Sequence, residues 1–157
     1  MTAEDTLAAL GMFLPPPAAP VANYLPFVVS RSLLAVSGQL PIGPSGKLDP
    51  AHTGKLGVEV SSKAGQAAAR LCAINILAQA QAALGDLDRI SHCVRLGGFI
   101  NAAPGFANLA GVMNGASDFM VEVLADKGRH ARSTVGVAEL PLDSAVEIEA
   151  LFEIASA

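Results

Sequence analysis

The residues best placed to do chemistry are Arg132 and three glutamates, Glu147, Glu149 and Glu153, carried on two apolar segments near the C-terminal end. In the strand pattern Val146–Ile154, the side chains of Val146, Ile148, Ala150, Phe152 and Ile154 fall on one face. Glu147, Glu149 and Glu153 fall on the other with Leu151. One segment earlier, Arg132, Thr134, Gly136 and Ala138 share a face. If the two strands pair as a hairpin, Arg132 comes near the glutamates at the far end of the ladder. An arginine beside a carboxylate can be a plain cross-strand ion pair. It can also be a site, in which the guanidinium forks onto a substrate carboxylate while the glutamate holds a water. From pattern alone, a half-exposed sheet with a solvated acidic face is the simpler account.

Other reactive residue types are sparse. The sequence has no nucleophile elbow, P-loop, paired-histidine metal motif or dinucleotide fingerprint. His52, His92 and His130 are scattered. Cys72 and Cys93 are the only cysteines, too few for a disulfide framework and without metal-site spacing, so they read as buried reduced thiols. No metal and no cofactor are expected.

The elements that must position these residues can be read in order. Thr2 caps a short helix over Ala3 to Leu10, ended by Gly11. Leu14 to Pro20 is too rich in proline for helix or central strand and reads as an extended lead-in. Tyr24 to Val29 and Leu33 to Val36, separated by Ser30-Arg31-Ser32, suit a hairpin, and Gly38 hints at a bulge or a close backbone approach. Pro41 to Val60 is a loop. A long alanine-rich helix, begun by Ser61 or Ser62, runs roughly from Ser62 to Leu84 and is stopped by Gly85, with Leu71, Ile74, Leu77 and Leu84 as its apolar stripe. Asp86 to Asn101 is a strand, and about Pro104 to Ala125 a second helix. Strands over Ala131 to Leu140 and Val146 to Ile154 flank the turn Pro141-Leu142-Asp143-Ser144. The order ββ-α-β-α-ββ predicts an α+β fold, a mixed sheet with two helices packed on one face and hairpins at both ends. One domain over 1–157 is expected, with 1–22 as an N-terminal extension.

Composition narrows the function classes. The chain is 52% hydrophobic and only 15% charged, with a mean hydropathy of +0.46. That predicts either a membrane span or apolar surface hidden against partner chains. The best run, Ala67 to Leu84, contains Arg70, Asn75, Gln79 and Gln81, which argues against a span. Burial against identical subunits is the better account. The first residues carry Glu4 and Asp5 and no basic group, unlike a secretory signal, so a cytoplasmic protein is expected. A net charge of −4, with six Phe, one Tyr and no Trp, makes a poor grip on nucleic acid.

The segment His130 to Pro141, followed by Val146-Glu147-Ile148-Glu149, resembles the C-terminal signature of the Rid family. These are the reactive intermediate deaminases, also called YjgF-like or L-PSP endoribonuclease-like proteins. Upstream, Tyr24, Val36 to Pro41, Gln66 to Asn75, Leu84 to Asp88, Phe99, Phe106 and Asn114 resemble further family positions, so the likeness runs from about Tyr24 onward. The resemblance implies a chorismate-mutase-like fold, a homotrimer, and clefts between subunits. It also implies hydrolysis of enamines or imines, such as 2-aminoacrylate-derived species, to 2-keto acids and ammonia. By that resemblance Arg132 binds the substrate carboxylate and Glu147 positions the attacking water, while Tyr24, Ser37, Gly38, Asn114 and Thr134 line the cleft. An imine is already electrophilic, so orientation and one placed water supply most of the catalysis.

Three features depart from the family pattern and mark a divergent branch, the first being the Pro-rich N-terminal extension. His130 stands where proline or alanine is usual, and the run Asn114 to Phe119 places Asn-Gly inside a helix. The competing functions are a non-catalytic binder of small carboxylates or keto acids in the same cleft, an endoribonuclease, and a structural trimer in which Arg132 and Glu147 form an inert ion pair.

Overall fold

The computed structural model describes residues 1–20 and 22–155. Val21, within the N-terminal extension, and the last two residues lie outside them. Helix α1 (Ala3–Ala9) precedes strands β1 (Phe27–Ser30) and β2 (Leu33–Gln39). Helix α2 (Ser62–Leu84), strand β3 (Ile90–Asn101), helix α3 (Leu109–Leu124), and strands β4 (Ala131–Val137) and β5 (Val146–Ile154) follow. The strands form one sheet in the order β1-β2-β5-β3-β4. All neighbours are antiparallel except β3 and β4, which run parallel. Helices α2 and α3 pack side by side on one face, giving the α+β mixed sheet that the element order predicts.

The predicted C-terminal hairpin does not form. β4 lies at the sheet edge beside β3, and β5 enters the slot between β2 and β3. Burial explains the choice. Val146, Ile148 and Phe152 are completely buried, and Ala150 and Ile154 nearly so, which requires a strand flanked on both sides and covered by helices. Burying side chains of that size contributes roughly 1.5–3 kcal/mol each for the larger ones. β4 carries Arg132, Ser133 and Thr134 and is only partly covered, so the edge suits it. The connection crosses the end of β3, where the Asn101 N–H donates to the Ala145 carbonyl at 3.0 Å and the Asn101 amide to Asp143 Oδ1 at 3.1 Å. Leu142 and Asp143 both take left-handed conformations there, with φ of 57° and 55°. Two adjacent non-glycine residues in that region mark a locally strained turn.

α2 spans the predicted residues. The Ser61 hydroxyl caps it by accepting from Ala64 N–H, and Gly85 closes it at φ 77°. Leu77 and Leu84 of the predicted stripe are buried, but most of the core face is Ala69, Cys72, Ala73, Ile76 and Ala80, all fully buried. Leu71 and Ile74 lie on a flank, beside Met12 to Pro16 of the lead-in. Small residues face the sheet because they let the helix axis come close. The helix is apolar and long enough to cross a bilayer, yet 61% of its most apolar stretch is buried within the fold. Its buried amides tie down the loops: Asn75 donates to the Leu40 and Ile42 carbonyls at 2.9 and 3.0 Å, and Gln79 to Ala18 at 2.8 Å.

α3 starts at Leu109, five residues after the predicted Pro104, because Gly105 at φ 84° turns the chain first. Its Asn114-Gly115 pair has a packing cause. A Cβ on Gly115 would sit 2.0 Å from the backbone oxygen of Gln66, so only glycine lets α3 cross α2 at that point. Arg70 then bridges the two helices, 2.8 Å from Glu122 and stacked 4.6 Å over the Phe119 ring.

Candidate functional site

The residues singled out from the sequence fall into two groups on opposite faces of the sheet. The first surrounds Glu147 on the face away from the helices. Between Val36 and Gln39 a bulge shifts the register of β2 against β5, which brings Gly38 beneath the Glu147 side chain. A Cβ on Gly38 would lie 2.1 Å from Glu147 Oε1, so the carboxyl occupies the space that glycine leaves. Glu147 is half-buried. That burial, reinforced by the neighbouring Glu149 charge, raises its pKa above the ordinary carboxyl range. Tyr24, Pro26, Gly38, Gln39 and Leu142 line a cavity of about 270 Å³ beside it. Ser37 holds the wall in place, its hydroxyl donating to the Leu25 carbonyl at 2.7 Å and its N–H to Pro26 at 2.9 Å.

The second group surrounds Arg132 on the helix face. Arg132 pairs in register with the buried Leu96 of β3 and points toward α3. Its Nη1 donates to Ser117 Oγ at 2.9 Å and its Nη2 to the Ala110 carbonyl at 3.4 Å. Asn114 lies between Ala110 and Ser117 at helical spacings of four and three, so it shares their face and is exposed. Thr134, two residues along β4, has a buried hydroxyl oxygen without a hydrogen-bond partner. His130 joins the group through Nε2, 2.9 Å from Ser117 Oγ, and Nδ1, 2.6 Å from the Gly128 carbonyl. Ser117 was not singled out from the sequence. Its signal was its place one turn beyond Asn114, but the partner strand was not known.

The structure thus unites Tyr24, Ser37, Gly38 and Glu147, and separately Asn114, Thr134 and Arg132. It does not unite the two sets within one chain. Arg132 and Glu147 form no ion pair with each other, and among the described residues the ion pairs are Lys55–Glu139, Arg70–Glu122 and Arg129–Asp126. An inert Arg132–Glu147 pair within the chain is therefore ruled out. Among the described residues the guanidinium is satisfied by neutral groups and meets no counter-charge, an arrangement suited to an anionic ligand.

The cysteines are poor nucleophiles. Both are buried and free; burial raises the Cys72 thiol well above its ordinary value and pushes Cys93 up to about 12. The carboxylates of Glu4, Asp86 and Asp88 lie close enough to share a cation. Each already accepts a backbone N–H: Glu4 from Leu87 at 2.9 Å, Asp88 from Ala3 at 3.0 Å and Asp86 from Asp88 at 2.8 Å. Their arrangement docks α1 onto the turn before β3.

Comparison with known proteins agrees with the fold. The protein TCP17 of Trypanosoma cruzi is 48% identical over 149 residues, 94% of this chain and 91% of that one. The crystal structure of Atu1372 from Agrobacterium tumefaciens, a protein of unknown function, is 48% identical with a TM-score of 0.89, covering 98% of this chain and 92% of that one. The crystal structure of E. coli TdcF with bound serine is 28% identical with a TM-score of 0.62, covering 91% and 94%. Residues 4–154 match the family described as YjgF/chorismate_mutase-like, putative endoribonuclease, and the chain belongs to that family.

Proposed function

We propose that this protein hydrolyses small carboxylate-bearing imines and enamines to 2-keto acids and ammonia, in clefts between the subunits of a homotrimer. The observation that carries this reading is the placement of Arg132, which meets no counter-charge among the described residues, and Glu147, whose pKa burial raises, on opposite faces of one sheet. A cleft that uses both must take them from different copies. The exposed apolar side chains of Val28, Val29, Leu33 and Val135 support association of that kind.

In such a cleft Arg132 anchors the substrate carboxylate through its fork. Glu147 serves the imine carbon, which an enamine reaches by protonation at carbon. As a carboxylate it takes a proton from the water that attacks the protonated imine, while the C–O bond forms and the C=N π electrons pass to nitrogen. As the acid it gives that proton to the amine nitrogen; the C–N bond then breaks as the hydroxyl oxygen forms the C=O bond and yields its proton to the Glu147 carboxylate, and keto acid and ammonia leave. A carboxyl with a raised pKa suits both halves of this exchange. RNA is a poorer substrate for a chain of net charge −4 with one tyrosine and no tryptophan.

Enzymatically generated 2-imino acids offered to the purified protein test the reaction, with loss of imine followed against the uncatalysed background. Arg132→Ala should lose ligand binding and activity together, and Arg132→Lys should recover little of either. Glu147→Gln should bind a keto acid normally yet turn over imine much more slowly. Parent-rate hydrolysis by a trimeric Arg132→Ala protein would refute the site. The serine held by TdcF favours a second reading, a non-catalytic binder of small amino or keto acids. That reading requires Arg132 but is indifferent to Glu147→Gln.

A further inference from the structure

The contacts of Ser117 have fixed directions, and those directions describe more than a staple between α3 and β4. A backbone carbonyl can only accept, so His130 Nδ1 carries the proton donated to Gly128 O at 2.6 Å. In the tautomer with its proton on Nδ1 alone, Nε2 is an acceptor, 2.9 Å from Ser117 Oγ. Arg132 Nη1 can only donate, so it donates to Ser117 Oγ at 2.9 Å, and the hydroxyl proton is left to point at Nε2. The result is a hydroxyl aimed at a base, a base oriented by a third group, and a permanent cation on the oxygen that would become anionic. Hydroxyl and base within hydrogen-bond reach, with the base itself oriented, is the arrangement that activates a serine nucleophile. Ser117 and His130 are each only half-buried, so neither is sealed in the core.

We propose that Ser117 is a nucleophile with His130 as its base, accepting acyl groups from small activated carboxylic esters, with Arg132 stabilising the oxyanion. Ser117 Oγ bonds to the ester carbon as its proton moves to His130 Nε2, and the carbonyl electrons pass to oxygen. That oxygen is two bonds from Oγ and within reach of the guanidinium already there. The C–O bond to the alcohol then breaks, and the alcohol leaves with the His130 proton. Water repeats the sequence on the acyl-serine, releasing the carboxylic acid and restoring the Ser117 hydroxyl. No metal or redox partner is needed. This activity is independent of imine hydrolysis, although both would employ Arg132.

A phosphonofluoridate with a short alkyl chain tests the nucleophile directly, because attack forms a P–O bond, releases fluoride and leaves a stable adduct. Intact-mass measurement and peptide mapping on the folded protein should show one adduct per chain, on Ser117. Ser117→Ala should take none, the loop variant Ser45→Ala should label like the parent, and His130→Gln should label on the order of a hundredfold more slowly. p-Nitrophenyl acetate hydrolysis should follow the same order. Absence of an adduct on Ser117, a rate unchanged by His130→Gln, or equal labelling in denaturing urea would each overturn the proposal, the first and last needing no variant. A protein that hydrolyses imino acids but takes no adduct refutes only the nucleophile. One that takes the adduct but spares imino acids refutes only the deaminase.

Discussion

The Glu147 and Arg132 regions are built in opposite ways. Glu147 stands on β5, a central strand whose other face is wholly buried, and its surroundings are largely backbone: a bulge, the space over Gly38, and the turn at Leu142 and Asp143. Arg132 stands on β4, an edge strand, and its surroundings are side chains from α3 and the segment before β4. The first region seats a carboxyl in the space that Gly38 leaves, and burial alters its acidity. The second holds a cation by neutral hydrogen bonds and leaves its charge uncompensated. A sheet separates them, so cooperation between them is a property of an assembly.

That separation can be broken most directly by complementation. Arg132→Ala and Glu147→Gln should each be nearly inactive toward imino acids, the arginine change by about a thousandfold or more in kcat/KM, equivalent to roughly 4 kcal/mol. Unfolded together in equal amounts and refolded, they should regain activity in about a quarter of the clefts, because random mixing leaves that share with both parent groups. Mixed refolding that restores nothing, from variants that each still assemble, would show that one chain supplies the whole site.

The next largest effect falls on the Arg132 side. Gly115→Ala places a methyl 2.0 Å from the Gln66 oxygen and should push α3 from α2, costing about 2–4 kcal/mol by urea unfolding. Gly38→Ala sharpens the Glu147 side. The side chain must move aside from a methyl 2.1 Å from its Oε1, so stability should fall by about 1–2 kcal/mol while imine turnover falls further than keto-acid binding.

The smallest effect depends on pH. Because its pKa is raised, Glu147 holds its proton more tightly in the folded chain, so ionisation costs stability as pH rises through that raised value. Glu147→Gln should therefore raise the thermal midpoint at neutral pH, with the gain vanishing once pH falls below the ordinary value of 4.5. A gain equally large in acid would mean that Glu147 is not held by burial. Neither glycine change should reproduce this pH dependence.

Much of the architecture was legible locally. Ser61 and Gly85 bound α2 at the residues read from caps, and the alternation in Val146–Ile154 gave β5 its limits and its buried face. The α3 start was misread because Pro104 resembles a first-turn proline, whereas Gly105 spends the next residues in a turn. Only half of the stripe read on α2 faces the core: Leu77 and Leu84 are buried, whereas Leu71 and Ile74 lie on the flank covered by the lead-in, because alanines take the places against the sheet.

Arg132 and Glu147 were recognisable by residue type and by their neighbours in sequence, but their relation was not. A hairpin between β4 and β5 satisfies every local signal, since short connections between successive strands usually pair them. What decided otherwise was the apolar face of β5, which gains more from a central slot than from an edge, together with α3, whose crossover brings β4 parallel to β3. Alternation in the sequence determines which side chains share a face of a strand. Which strands become neighbours, and so whether two reactive groups meet within one chain, depends on burial summed over the whole sheet, and only the tertiary structure decided it.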